Sequence, residues 1–348
     1  LQLLECRVAM CLPSALEFAS LTVLSIDFSS GSGSDFSIPR VAPAALVSLL
    51  LTGIRSYSIW SSIGGGPDAA EAVFSSLTHL RISYGFGVFD PAQSTRPCSA
   101  RLVFPRLKCL AVKNVYSYCP VIAHGVFPRQ LDLLETECSA SVLGLLGKIR
   151  FQSLRRATIA VVCDDAELPR VLQDTSRVAA ATAGGGSATT KISVLSGQID
   201  ARNVDIDWSA TTTIQALASV SFGAMLAILA RAPALRELMV HDLALDGRAV
   251  HAAALALEGL ERCPLPYLPS KVTHLLLGHR PYTYSVDMAV AATKYLLLRL
   301  PSLKKLTTFH IPLAPIVEFV NAHKAQHPHL EGVELVFDDL RDDYDTYQ

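Results

Sequence analysis

The chain has 348 residues, half of them hydrophobic and 18% charged, which excludes a disordered chain and exceeds what one ordinary globular core carries. Its formal net charge is −1, so no overall basic field draws it to nucleic acid or to an anionic membrane surface. Its eight cysteines lack Cys-x-x-Cys spacing, which excludes a zinc ribbon and a dense disulfide scaffold, and no apolar run reaches the ~18 residues of a membrane span.

These features point to a reduced intracellular protein, in the cytoplasm or nucleus. Glu5 and Arg7 interrupt the opening stretch where a signal peptide would stay apolar. The chain opens within a repeat, so further sequence upstream of Leu1 is expected.

The pattern Leu-x-x-Leu-x-(Ile/Val/Leu) first occurs at Leu1, Leu4 and Cys6, and is clean at Leu21, Leu24 and Ile26. A loop at Gly31 to Asp35 follows, then a proline-started helix over Pro43 to Leu51 and a poorly alternating strand from Ile54 to Trp60. Pro67-Asp68 reads as the start of a helix through Ala69 to Phe74, leading into Leu77, Leu80 and Ile82. Pro105 introduces Leu107, Leu110 and Val112; Pro128 introduces Leu131 and Leu134. A helix over Ser139 to Lys148 precedes Leu154, Ala157 and Ile159.

An expanded, loop-rich unit is expected over about 160–221. It holds a helix from Asp165 to Ala181, a Gly184 to Gly186 loop, a strand from Lys191 to Leu195 and an extended piece from Val204 to Trp208. Beyond it the rhythm is strongest. Helix Phe222–Arg231 precedes Leu235, Leu238 and Val240; helix Arg248–Leu260 precedes Val272, Leu275 and Leu277. Helix Val286–Leu300 precedes Leu303 and Leu306, and helix Pro315–Gln326 precedes Leu330, Val333 and Leu335. The starts at 235, 272, 303 and 330 are spaced by roughly 27 to 37 residues, the range of helix-plus-strand repeats.

In a strand, Leu238 and Val240 face one side while Leu235 arrives from the preceding turn, so all three share one interior. One unit cannot cover that face alone, and stacked units must cover one another. The expected fold is α/β, a leucine-rich-repeat-like solenoid over 1–337. Its curved parallel sheet would line the concave side and its helices the convex side, with an acidic tail at 338–348.

These residues resemble leucine-rich repeats of the long, helix-containing type. The family's following asparagine, which braces neighbouring backbone, is replaced by Ser29, Gly85, Val115, Leu243, Arg280 and Asp338. With unequal Phe/Leu-Pro-x-Leu-x-x-Leu units, the chain is more similar to the irregular repeats of fungal F-box proteins. That resemblance implies a substrate-recognition region for a ubiquitin-ligase core, docked through a helical F-box. No stretch here reads as that box: either it lies upstream of Leu1 or the protein has none.

On this reading the protein is a non-catalytic interaction module with a protein partner and no cofactor, metal, nucleic acid or membrane. Its binding face consists of the side chains between and after the core positions: Asp27, Arg81, Ser83, Lys113, Met239, His241 and Glu334, with Ser25, Ala111, Leu276, Gly278 and Val336 beside them. That mixture of charged and apolar groups suits a protein surface better than a phosphate backbone. The alternative is an α/β enzyme binding a nucleotide at Gly64 to Ala69, where Gly-x-Gly-x-x-Ala before a helix would bring backbone to a pyrophosphate. A polar preceding strand and the lack of a carboxylate after Ile82 weigh against it.

His323, His327 and His329 have spacing compatible with zinc, yet suit the C-terminus of a helix better. His241-Asp242 and Asp164-Asp165 follow strands, where an α/β enzyme carries catalytic groups and where any strand exit is also polar. No Gly-x-Ser-x-Gly elbow occurs.

Overall fold

The computed structural model describes residues 3–7, 17–28, 40–54, 70–84, 101–116, 119–149, 151–182, 187–199, 208–245, 247–259, 265–279 and 285–338. The protein is α/β and built on parallel sheet. It divides into two compact units, Leu1–Val161 with Arg177–Ala188, and Val162–Ser176 with Thr189–Gln348.

In the first unit the strands are β1 (Leu3–Arg7), β2 (Glu17–Phe18), β3 (Val23–Asp27), β4 (Arg40–Val41), β5 (Ser48–Ile54), β6 (Glu71–Val73), β7 (His79–Tyr84), β8 (Arg101–Val103), β9 (Cys109–Val115), β10 (Gly125–Val126), β11 (Gln130–Ser139) and β12 (Ser153–Cys163). The main sheet runs β1-β3-β5-β7-β9-β11-β12. Its first five pairings are all parallel. Register follows the leucines: Leu24, Leu49, Leu80, Leu110 and Leu134 pair in one row, and Ile26, Leu51, Ile82, Val112 and Thr136 in the next. Both rows are buried. The first leucine of each unit, Leu21, Leu46, Leu77, Leu107 and Leu131, joins them from the turn.

A carbonyl at each strand's start does part of the bracing that regular repeats assign to asparagine. Thr22 O accepts from Val47 N and Ser48 N at 2.7 and 3.1 Å, and Val47 O accepts from Thr78 N and His79 N at 2.9 and 3.2 Å. Thr78 O takes Lys108 N and Cys109 N at 2.9 and 3.0 Å in the same way. Two lone pairs per oxygen satisfy two donors at the edge of each step.

The helix expected over Pro43 to Leu51 is a single 3-10 turn, Pro43–Ala45, followed by β5. Leu46, Leu49 and Leu51 are a full copy of the repeat, and their parallel pairing outweighs the helical propensity of the preceding alanines. The helix expected over Ala69 to Phe74 is likewise absent: Glu71–Val73 form β6. This strand pairs with β8, which pairs with β10, giving a second parallel sheet. Phe74, Phe104 and Phe127 follow these strands and stack with centroids 5.1 and 5.5 Å apart. Ring stacking and burial hold this layer together. Two short helices, α1 (Pro120–His124) and α2 (Ala140–Leu146), complete the described elements of the first unit.

The second unit continues the numbering with α3 (Leu168–Ala180), β13 (Ser187–Val194), β14 (Gln198–Ile199), β15 (Thr213–Ser221), α4 (Phe222–Arg231), β16 (Glu237–Ala244), α5 (Gly247–Glu258), β17 (His274–Gly278), α6 (Val286–Arg299), β18 (Lys305–Phe309), α7 (Ala314–His323) and β19 (Glu334–Phe337). β13, β15, β16, β17, β18 and β19 pair parallel in that order. Their inner row is Ile192, Ile214, Leu238, Leu275, Leu306 and Leu335. The same carbonyl ladder recurs: Thr212 O accepts from Arg236 N and Glu237 N, Arg236 O from Thr273 N and His274 N, and Thr273 O from Lys304 N and Lys305 N, all at 2.8–3.2 Å.

Helices α4 to α7 connect and cover these strands. Ser221 caps α4 by accepting from Ala224 N at 3.1 Å, and Ser285 caps α6 by accepting from Asp287 N at 3.2 Å. Phe222, Met225, Ile228 and Leu229 form the buried stripe of α4. Pro233 and Pro301 follow the helix ends and prevent continuation. Trp208 is fully buried and opens the turn into β15, with Thr211 N bonded to its carbonyl at 3.0 Å. The extended piece expected from Val204 otherwise lies outside the described residues.

Candidate binding face

A strand that buries every second residue presents the others on its opposite face. In the first unit that face mixes polar side chains, most of them paired across strands, with Leu50 and Ala111. Asp27 receives a hydrogen bond from Thr52 Oγ1 at 2.9 Å, and Ser83 from Asn114 Nδ2 at 3.3 Å. Lys113 forms a 2.6 Å ion pair with Glu135, and Tyr116 donates to Glu137 at 3.4 Å. Arg81 stands exposed between Leu50 and Ala111 in the pairing register. Asp27, Arg81, Ser83 and Lys113 thus lie on neighbouring strands of one surface, and three of them spend their polar groups on cross-strand partners.

The face of the second unit has a different character. Gln215, Met239, Leu276, Thr307 and Val336 pair side by side across five strands, each half-buried. Alongside runs Thr213, Glu237, His274, Lys305 and Glu334 in the same register. Lys305 reaches Glu334 at 3.7 Å, and Thr213 donates to Glu237 at 3.4 Å. An apolar row with hydrogen-bonding groups at intervals is therefore flanked by a charged one. Met239 and Glu334 belong to these two rows.

His241 lies further along β16. Its ring stacks on Phe309 with centroids 6.0 Å apart, and its carbonyl lies so close to Gly278 that a Cβ there would collide with it. Burial pushes the imidazole below its ordinary value, which favours the neutral ring. Gly278 is buried by this approach, whereas the sequence pattern places it on the outward face.

The groups that could have suggested catalysis have structural partners. Asp165 accepts from Ala166 N at 2.8 Å and Gln198 N at 3.1 Å, while Asp164 accepts from Ser196 Oγ at 2.7 Å. Together they hold the turn at Gly197, whose φ of +91° and contact with the Asp165 carboxyl leave no room for a side chain. His323 and His329 each bond a main-chain carbonyl, of Phe319 at 2.9 Å and Leu297 at 3.1 Å. His327 is pushed below its ordinary value by burial, with His329 and His323 adding to the effect. Among the described residues no three His, Cys, Asp or Glu side chains gather to hold a metal ion.

Burial raises the thiols of Cys138 and Cys163 to about 12, which keeps them protonated and poor nucleophiles. The Gly64 to Ala69 loop lies outside the described residues. The residues after it form a strand, so they supply no helix N-terminus for a pyrophosphate. The Gly184 to Gly186 loop and residues 339–348 of the acidic tail also lie outside the described residues.

Sequence reasoning missed Leu50, Thr52, Gln215 and Thr307 on these faces. Leu46-x-x-Leu49-x-Leu51 was the available signal for the first two. Thr211-x-x-Ile214-x-Ala216 signals Gln215 weakly, because threonine and alanine replace two leucines. Among the described residues no helix is long and apolar enough to cross a membrane. No protein-family model matches the sequence, and no curated protein matches it.

Proposed function

We propose that the protein is a non-catalytic scaffold of leucine-rich-like repeats whose outward sheet face binds a protein partner inside the cell. The row Gln215, Met239, Leu276, Thr307 and Val336 carries this reading. Its half-buried apolar side chains bordered by charge match the apolar core and polar rim of a protein interface. Among the described residues, the Asp164 and Asp165 carboxylates are engaged in hydrogen bonds and burial keeps the Cys138 and Cys163 thiols protonated, which supports the non-catalytic reading. In the leucine-rich-repeat geometry this face is the concave side of a solenoid.

The unequal Phe/Leu-Pro-x-Leu-x-x-Leu units extend the proposal to the substrate-recognition region of an F-box ubiquitin-ligase receptor. That extension requires a helical F-box in the full-length protein, and co-purification of a ligase core with the full-length protein tests it. For the face itself, a photo-crosslinking side chain placed at Met239 should trap a discrete partner in cell extract. The same group at Leu255, which is 53% exposed on α5, should not. Equal trapping at both positions would overturn the assignment of the face.

A further inference from the structure

At the starts of β16, β17 and β18, on the edge of the second unit's sheet, lies an open groove of about 780 Å³. Arg236, Lys271 and Lys304 line it together with Thr273 and Ser302, and no carboxylate among the described residues does. All three cations are solvent-exposed, and none forms a salt bridge among the described residues. This contrasts with the sheet face, where Lys305 is paired with Glu334.

The ladder fixes the spacing of these charges. Arg236 O accepts from Thr273 N, and Thr273 O accepts from Lys304 N, so the three occupy the same position on successive chain segments. Neighbouring strands lie about 4.8 Å apart, which sets Arg236 and Lys304 at about 10 Å. Thr273 between them is neutral, and its hydroxyl is held by the Arg236 carbonyl at 3.2 Å. Lys271, two residues earlier, adds a third positive charge to the same groove.

We propose that this groove binds an acidic segment of a protein partner in extended, polyproline-II-like conformation. Such a segment advances about 9.3 Å per three-residue turn, so acidic side chains three apart align with Arg236 and Lys304. Arginine supplies a fork for a carboxylate and lysine a point charge. Among the described residues no aromatic side chain lines the groove to stack a base, which favours peptide over single-stranded nucleic acid. The proposal rests on the scaffold reading above and adds the chemistry of the partner.

The test uses the whole chain and a fluorescein-labelled peptide of four Glu-Pro-Pro repeats, read by fluorescence anisotropy at low salt. Its Gln-Pro-Pro counterpart and a labelled thymidine dodecanucleotide are the comparisons. The acidic peptide should bind at least tenfold more tightly than either. The combined variant Arg236→Gln, Lys271→Gln, Lys304→Gln should lose at least tenfold while its circular dichroism and melting stay unchanged. Equal binding of the Glu and Gln peptides, tighter binding of the oligonucleotide, or full affinity in the folded triple variant would each overturn the groove. Any of those results alongside partner trapping that depends on Met239 would remove the groove alone. Intact peptide binding without Met239-dependent trapping would instead remove the sheet-face reading.

Discussion

Between β5 and β11 the first unit places short strands and stacked phenylalanines with only the five-residue α1, whereas from β15 onward the second places helices of ten or more residues. The strands themselves are alike. Both units align a leucine-rich inner row and brace each strand's start with a carbonyl that accepts two amides. The Leu-x-x-Leu-x-Leu half of the repeat is therefore sufficient for the sheet, and the connecting half is free to vary so long as it buries apolar surface. The outward faces diverge too. Asp27, Ser83 and Lys113 are engaged by neighbours, while Met239 and Leu276 leave apolar surface half-exposed.

The shared inner row offers the harshest test of this comparison. Leu110→Asp and Leu238→Asp each place a charge at a fully buried position and should cost about 4 kcal/mol or more, with loss of the cooperative melting of the affected strands. Unchanged melting in one variant would show that the inner rows of the two units are not equivalent. Next comes the contrast in connecting layers. Phe104→Ala removes the middle ring of the stack and should destabilise by about 3–5 kcal/mol in chemical denaturation; a loss under 1 kcal/mol would mean that the stack contributes little.

Gly278→Ala should cost about 1–3 kcal/mol, because the new methyl meets the His241 carbonyl. Wild-type thermal stability in that variant would contradict the close approach. His241 supplies a pH dependence specific to the second unit. Its imidazole lies below the ordinary 6.5 when folded, so the unfolded chain takes up a proton first as the pH falls. Stability is full above the ordinary value and declines as the pH drops below it. Denaturation midpoints of His241→Phe should show a flatter decline than wild type over roughly pH 7 to 5; an unchanged slope would exclude His241 as a source. The smallest effect concerns the ladder: Thr273→Val loses the hydroxyl's contacts with the Arg236 carbonyl and with His274 Nδ1, about 0.5–1.5 kcal/mol. A larger loss would mean that side chains, not carbonyls, carry the bracing.

Much of the sheet was legible in the sequence, because Leu24, Leu80, Leu110, Leu238, Leu275 and Leu306 keep the spacing that pairing demands. Helix Phe222–Arg231 was legible to the residue, being an apolar run closed by Ala232-Pro233. The connecting layer of the first unit was not. Pro43 and Pro67 look like helix starts, but the choice between helix and strand depended on partners distant in sequence, Phe104 for Phe74 and β8 for β6. The candidate face was legible as alternation around the leucines. Its division into a paired polar region and a half-exposed apolar row was not, because Lys113–Glu135 and Asp27–Thr52 are contacts between repeats. The basic groove was invisible for the same reason: Arg236, Lys271 and Lys304 converge only through strand register.

The proposed docking surface is the half-exposed row of the second unit. Titrating the trapped partner against Met239→Glu/Leu276→Glu, Arg81→Glu and Leu255→Glu tests it most directly. The first variant should lose at least tenfold in affinity, with no change for the helix-surface variant Leu255→Glu and circular dichroism unaltered throughout. Full affinity in the Met239→Glu/Leu276→Glu chain, or an equal loss in Leu255→Glu, would contradict that docking surface.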